Sequence, residues 1–123
     1  MDNRTFAQNL IRRTYRYSVK VVDLVDSLPN RRSCWTMADQ LMRSATGIGA
    51  NIIEAQAASS KRDFVNFLSY ALKSANETKF WLGLLRDTHK VGANIIEPLL
   101  KETKELSDIL GSSIATLRGK KKL

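Results

Sequence analysis

At 123 residues and 43% apolar content, the chain makes one domain with enough interior to need neither disulfide nor metal. A lone cysteine, Cys34, excludes an intrachain disulfide, and no apolar run is long enough to cross a bilayer. The net charge of +8 is uneven: seven basic against three acidic residues up to Trp35, nine against nine in the middle, and four basic with no acidic residues from Arg118 onward.

The opening Met1-Asp2-Asn3-Arg4 begins no signal peptide, which predicts a cytoplasmic protein. Helix one is expected from Asn3 to Leu28, where Pro29-Asn30 ends it. Its inward ridge reads Phe6, Leu10, Tyr17, Val21, Leu24 and Leu28. Arg12, Arg13, Arg16 and Lys20 fall on the adjoining outward faces. An irregular connection from Pro29 to Thr36 carries Arg31, Arg32, Cys34 and Trp35, and Cys34 reads as a partly buried thiol rather than a nucleophile.

Helix two is expected from Met37 to Ala58. Its ridge is Ala38, Leu41, Ala45, Ile48, Ile52 and Ala55, and Gly47, Gly49 and Ala50 beside it let a neighbouring backbone approach closely. Ser60, with Asp63 three residues on, is close to a capping box, so helix three starts at Lys61 and runs to His89. Phe64, Leu68, Ala71, Ala75, Thr78, Leu82 and Leu85 form its ridge. After the break at Val91-Gly92-Ala93, Asn94 with Glu97 offers a cap for helix four, with Pro98 tolerated in the first turn. Leu99, Thr103, Leu106, Leu110, Ser113 and Leu117 make the last ridge, and Gly119 ends the helix. No stretch alternates like a strand.

Four helices with short connections predict an all-α, up-down-up-down four-helix bundle over residues 1–118, followed by a basic tail over 119–123. In that topology the start of helix one, the turn between helices two and three, and the end of helix four lie at one end. Arg4, Arg12, Arg13, Lys61, Arg62, Arg118, Lys120, Lys121 and Lys122 are expected to converge there from distant parts of the chain. With Arg16 and Lys20 they make a surface suited to the phosphates of RNA or DNA.

Enzymatic readings find little support. His89 is the only histidine and sits at a helix end, no Glu-x-x-His pair is present for a di-iron bundle, and there is no phosphate-cradling glycine loop. A non-enzymatic protein without metal or cofactor is expected. Arg43, Glu54 and Glu77, beside the apolar part of the central helices, read as structural polar residues paired between helices. Ile11, Val22, Val25, Phe67, Trp81, Leu84, Ile109 and Ile114 widen the apolar stripes and point to contact with another subunit or partner, the alternative being a wide core that absorbs them. No helix combines a basic face with a free apolar one, which argues against a membrane surface.

The runs Gln40-Leu41-Met42-Arg43-Ser44, Gly49-Ala50-Asn51-Ile52-Ile53-Glu54, Ser60-Lys61-Arg62-Asp63-Phe64, Ala75-Asn76-Glu77-Thr78 and Trp81-Leu82 stand in register over the central half of the chain. In them the sequence resembles the bacterial four-helix-bundle family first noticed in intervening sequences of large-subunit ribosomal RNA genes. Phe80-Trp81-Leu82 and Ile109-Leu110-Gly111-Ser112-Ser113-Ile114-Ala115 also resemble the accessory variability determinant of diversity-generating retroelements, in the same superfamily. The resemblance implies a ring of five identical subunits that binds structured RNA through its basic surface and docks on a reverse transcriptase. Two alternatives stand beside it: an intervening-sequence protein of undefined role, and a scaffold that binds protein and no nucleic acid.

Overall fold

The computed structural model describes residues 3–119, and Lys120, Lys121 and Lys122 lie outside the described residues. Four helices follow one another: α1 (Asn3–Asp26), α2 (Arg32–Gln56), α3 (Lys61–Asp87) and α4 (Ala93–Leu117). No strand occurs among the described residues. Sequential neighbours α1 with α2, α2 with α3, and α3 with α4 pack together. The ring closes where Arg13 and Tyr17 of α1 reach Glu102 and Thr103 of α4.

Each boundary has a local cause. α1 stops at Asp26, two residues before the expected end, because Ser27 turns back: its N–H and its hydroxyl both donate to the Leu24 carbonyl, at 3.0 and 2.7 Å. α2 begins at Arg32 rather than Met37. Trp35 N–H already donates to the Arg31 carbonyl, and Cys34 and Met37 extend the buried line of Leu41 by a full turn. Cys34 is therefore fully buried. α3 starts where its cap predicts, with the Ser60 hydroxyl accepting from Asp63 N–H at 3.0 Å.

Gly119, in a left-handed conformation with φ 72°, ends α4 as expected, but the helix departs from expectation at its start and along its ridge. Its N-cap is Gly92, whose carbonyl accepts from Ile95 and Ile96, and Asn94 lies inside the first turn. Pro98 thereby falls in the second turn, where its missing N–H deprives the Asn94 carbonyl of its helical partner. At the other end Ile114 is buried while Ser113 and Leu117 are only half-buried. A seven-residue ridge drifts about 20° per heptad around a straight helix of 3.6 residues per turn, so the inward line moves off Leu117.

The core holds Leu10, Tyr17, Val21 and Leu24 of α1, Leu41, Ala45, Ile48 and Ile52 of α2, Leu68, Ala71, Ala75, Leu82 and Leu85 of α3, and Ile96, Leu99, Leu106, Leu110 and Ile114 of α4. Phe6, expected on the ridge of α1, is 44% exposed, and Leu28 lies beyond the helix. Helices α1 and α2 come close enough at Gly49 that a Cβ there would sit 2.9 Å from the Thr14 hydroxyl. Every buried side-chain polar atom among the described residues has a partner. Thr78, for instance, donates within α3 to the Ser74 carbonyl and lies 2.9 Å from Ser44 on α2.

Candidate nucleic-acid interface

One end of the bundle is defined by an apolar cavity of about 380 Å³ that all four helices line. Phe6, Ala7 and Leu10 come from the start of α1, Ile52 and Gln56 from the end of α2, Phe64 and Leu68 from the start of α3, and Leu110, Ser112, Ser113, Thr116 and Leu117 from the end of α4. Arg4, Lys61, Arg62 and Arg118 each lie within one turn of a lining residue, so the expected convergence holds for these four. All are exposed, and none makes an ion pair among the described residues. Acids share this end too: among the described residues Glu54, Asp63 and Asp108 each lie within one turn of the lining. Asp63 is held in the α3 cap, its carboxylate accepting from Ser59 N–H at 3.2 Å, and Glu54 is exposed near the end of α2.

Arg12 and Arg13 lie within one turn of Leu10 as well, and Arg16 and Lys20 run farther along α1, away from this end. Arg13 is committed elsewhere. Its Nε donates to Glu102 Oε2 at 2.6 Å and its Nη2 to Glu102 Oε1 at 2.8 Å, a fork that Glu105 Oε1 extends at 2.7 Å. The Glu102 hydrogen bonds hold the guanidinium protonated far above its ordinary range, and the same bonds hold the Glu102 carboxyl below its own. With two carboxylates around one guanidinium, Arg13 offers no free charge to a phosphate. Nothing in the local sequence of α1 signals this, because its partners lie 89 and 92 residues away.

Arg16 and Lys20 stay exposed along a second cleft, of about 660 Å³, between α1 and α4. Tyr17, Leu24 and Leu99 line its apolar side, and Asp23 and Glu102 add acids. Lys20 lies near enough to Glu102 to help lower its pKa. Arg12 is exposed and reaches Asn9 Oδ1 at 3.5 Å.

Of the three polar residues expected between α2 and α3, two meet. Arg43 Nη2 stands 3.7 Å from Glu77 Oε2, at the surface rather than beside the core, and Glu77 also accepts from Trp81 Nε1 at 3.0 Å. Glu54 takes no part: it is exposed and has no side-chain partner among the described residues. His89, expected as the last residue of helix three, lies beyond it in a left-handed conformation with φ 57°. Among the described residues no group of three His, Cys, Asp or Glu side chains could hold a metal ion, and no helix is long and apolar enough to cross a membrane.

The extra apolar residues divide. Ile11, Val25, Phe67, Trp81, Leu84 and Ile109 pack against the core and Ile114 is part of it, so the wide core absorbs most of them. Val22 remains exposed, in a stripe with Tyr15 and Val19 at helical spacing on α1. Exposed Arg12, Arg16 and Lys20 stand beside that stripe, so α1 does combine a basic face with a free apolar one, contrary to expectation. Trp35, Ile53, Tyr70, Phe80 and Ile95 are also exposed.

The model of a family described as 23S rRNA-intervening sequence protein matches residues 8–112. The chain is also similar to a solved structure, described as a protein with unknown function from the S23 ribosomal protein family from Bacteroides thetaiotaomicron VPI-5482. The TM-score is 0.80 at 38% identity, over 85% of this chain and 97% of that one. No curated protein matches the chain.

Proposed function

The chain belongs to the 23S rRNA-intervening sequence protein family, and on that premise we propose that it is a non-enzymatic RNA-binding accessory protein acting in the cytoplasm. The observation that carries the reading is the gathering of Arg4, Lys61, Arg62 and Arg118 at one end, exposed and outside any ion pair among the described residues. Lys120, Lys121 and Lys122 follow that end directly in sequence. Cations so placed neutralise phosphates and release counterions with little reading of base sequence. Arg12, Arg16 and Lys20 extend the contact along α1, and Arg13 is left out of it.

Self-association into a ring of five would repeat the basic end around an axis and let weak single contacts act together. The exposed stripe of Tyr15, Val19 and Val22 supports an interface between copies, since such a stripe is costly to leave in water. Docking on a reverse transcriptase of a diversity-generating retroelement is the finer reading, and it rests on the resemblance of the α3 and α4 segments alone.

Binding to a structured RNA at two salt concentrations tests the proposal, with mass in solution read in the same run. The comparison variant replaces Arg4, Lys61, Arg62, Arg118, Lys120, Lys121 and Lys122 by Gln and keeps Arg13. The expected result is an oligomer whose RNA affinity falls steeply with salt, and a variant that keeps its mass and loses the binding. If the unaltered chain ignores RNA at low salt, the protein-binding scaffold replaces this reading. Retention of a reverse transcriptase on the immobilised protein tests the finer one.

A further inference from the structure

The cavity at the basic end is apolar in depth and polar at its wall. Leu10, Ile52, Leu68 and Leu110 in its lining are buried, while Phe6 is 44% exposed and Phe64 half-buried, so both rings have surface to offer. Gln56 donates its amide N–H to the Ile52 carbonyl at 2.9 Å, which fixes the side chain and leaves Oε1 as an acceptor. The volume of about 380 Å³ is within the range of small-ligand sites. An acyl amphiphile would bring one charge to this site. The four cations around it come from three separate places in the sequence, an arrangement that suits a polyanion passing across the cavity.

We propose that this cavity receives an unpaired RNA base, stacked against Phe6 and Phe64 with its edge toward Gln56, while flanking phosphates lie on Arg4, Lys61, Arg62 and Arg118. A nucleobase has the required character, with apolar faces, a polar edge and a negative charge on either side. The inference rests on the RNA-binding reading and makes it specific: the preferred RNA carries bulges, loops or single strands. A perfect duplex keeps its bases stacked inside and can use only the cations.

The test compares an RNA duplex carrying one bulged adenine with the same duplex fully paired, which holds charge nearly constant. The full chain is expected to bind the bulged RNA roughly tenfold more tightly, the usual scale of a stacked base. Ala7→Phe, which fills the cavity, and Phe6→Leu, which removes a ring and keeps an apolar side chain, are expected to erase that preference and leave fully paired binding unchanged. Equal affinity of the full chain for both RNAs overturns the base site and leaves the phosphate-binding reading standing, whereas no binding to either removes both. A change of mass in solution with Ala7→Phe would make the cavity a contact between copies and overturn the proposal.

Discussion

The Tyr17 phenol on α1 hydrogen-bonds the Thr103 hydroxyl on α4 in the bundle interior, and the direction of that bond follows from its neighbour. Thr103 gives its own proton to the Leu99 carbonyl at 2.6 Å, so Tyr17 is the donor. Burial pushes the Tyr17 pKa up to about 12, and the nearby Glu102 carboxylate adds to the rise. The folded state therefore holds the phenolic proton at a pH where the unfolded chain, at about 10, has released it. Stability is fully present below pH 10 and falls as pH rises from there through about 12, by roughly 3 kcal/mol. Urea melts across that range check it. Tyr17→Phe should cost about 1 kcal/mol at neutral pH and flatten the alkaline loss.

The Arg13 fork on Glu102 gives the opposite sign. Glu102 titrates below its usual value near 4.5 in the folded state, so its contribution is present above that pH and is lost as pH falls through the folded value. Both side chains are partly in water, which limits the stabilisation to about 1 kcal/mol. Glu102→Gln should lower stability by that amount at pH 7 and leave a smaller acid-side decline in chemical melts. An unchanged decline would put the acid sensitivity elsewhere.

What could be read from the sequence was what local chemistry decides. Ser60 and Asp63 announce the α3 cap because both partners lie within one turn. The start of α2 carries no such sign: Arg31, its N-cap, makes no side-chain cap bond, and the helix begins there because Cys34 and Met37 find the core. The candidate site was legible only through topology. Alternating helix direction brings Arg4, Lys61, Arg62 and Arg118 to one end, but no sequence pattern tells Arg13 from Arg12, and the carboxylates that separate them are on another helix. The end cavity was invisible for the same reason, its lining being spread over four helices.

Two helical glycines should respond oppositely to the same methyl group. At Gly49 a Cβ would stand 2.9 Å from the Thr14 hydroxyl, itself held by the Ile11 carbonyl, so Gly49→Ala forces α1 and α2 apart. A loss of about 1–2 kcal/mol is expected despite the better helix propensity of alanine. At Gly83 nothing lies within 4 Å, so Gly83→Ala should gain about 0.5–1 kcal/mol. Thermal melts at two protein concentrations decide the matter, and a loss at Gly83 would mark that face of α3 as one a second copy covers.

The end of α3 offers the most direct gain in stability. Lys90 N–H donates to the Leu85 carbonyl at 3.1 Å and His89 N–H to the Arg86 carbonyl at 3.0 Å, the paired bonds of a Schellman motif with His89 at its left-handed position. A side chain with a Cβ is strained at φ 57°, and glycine is not. The imidazole is exposed and gives up no buried contact when removed. His89→Gly should therefore stabilise the fold by roughly 0.5–1 kcal/mol, with the greater backbone freedom of glycine in the unfolded chain already offset against the relieved strain. His89→Ala keeps the strain and should gain nothing. Equal melting temperatures for the two variants would mean that the backbone conformation at His89 carries no cost.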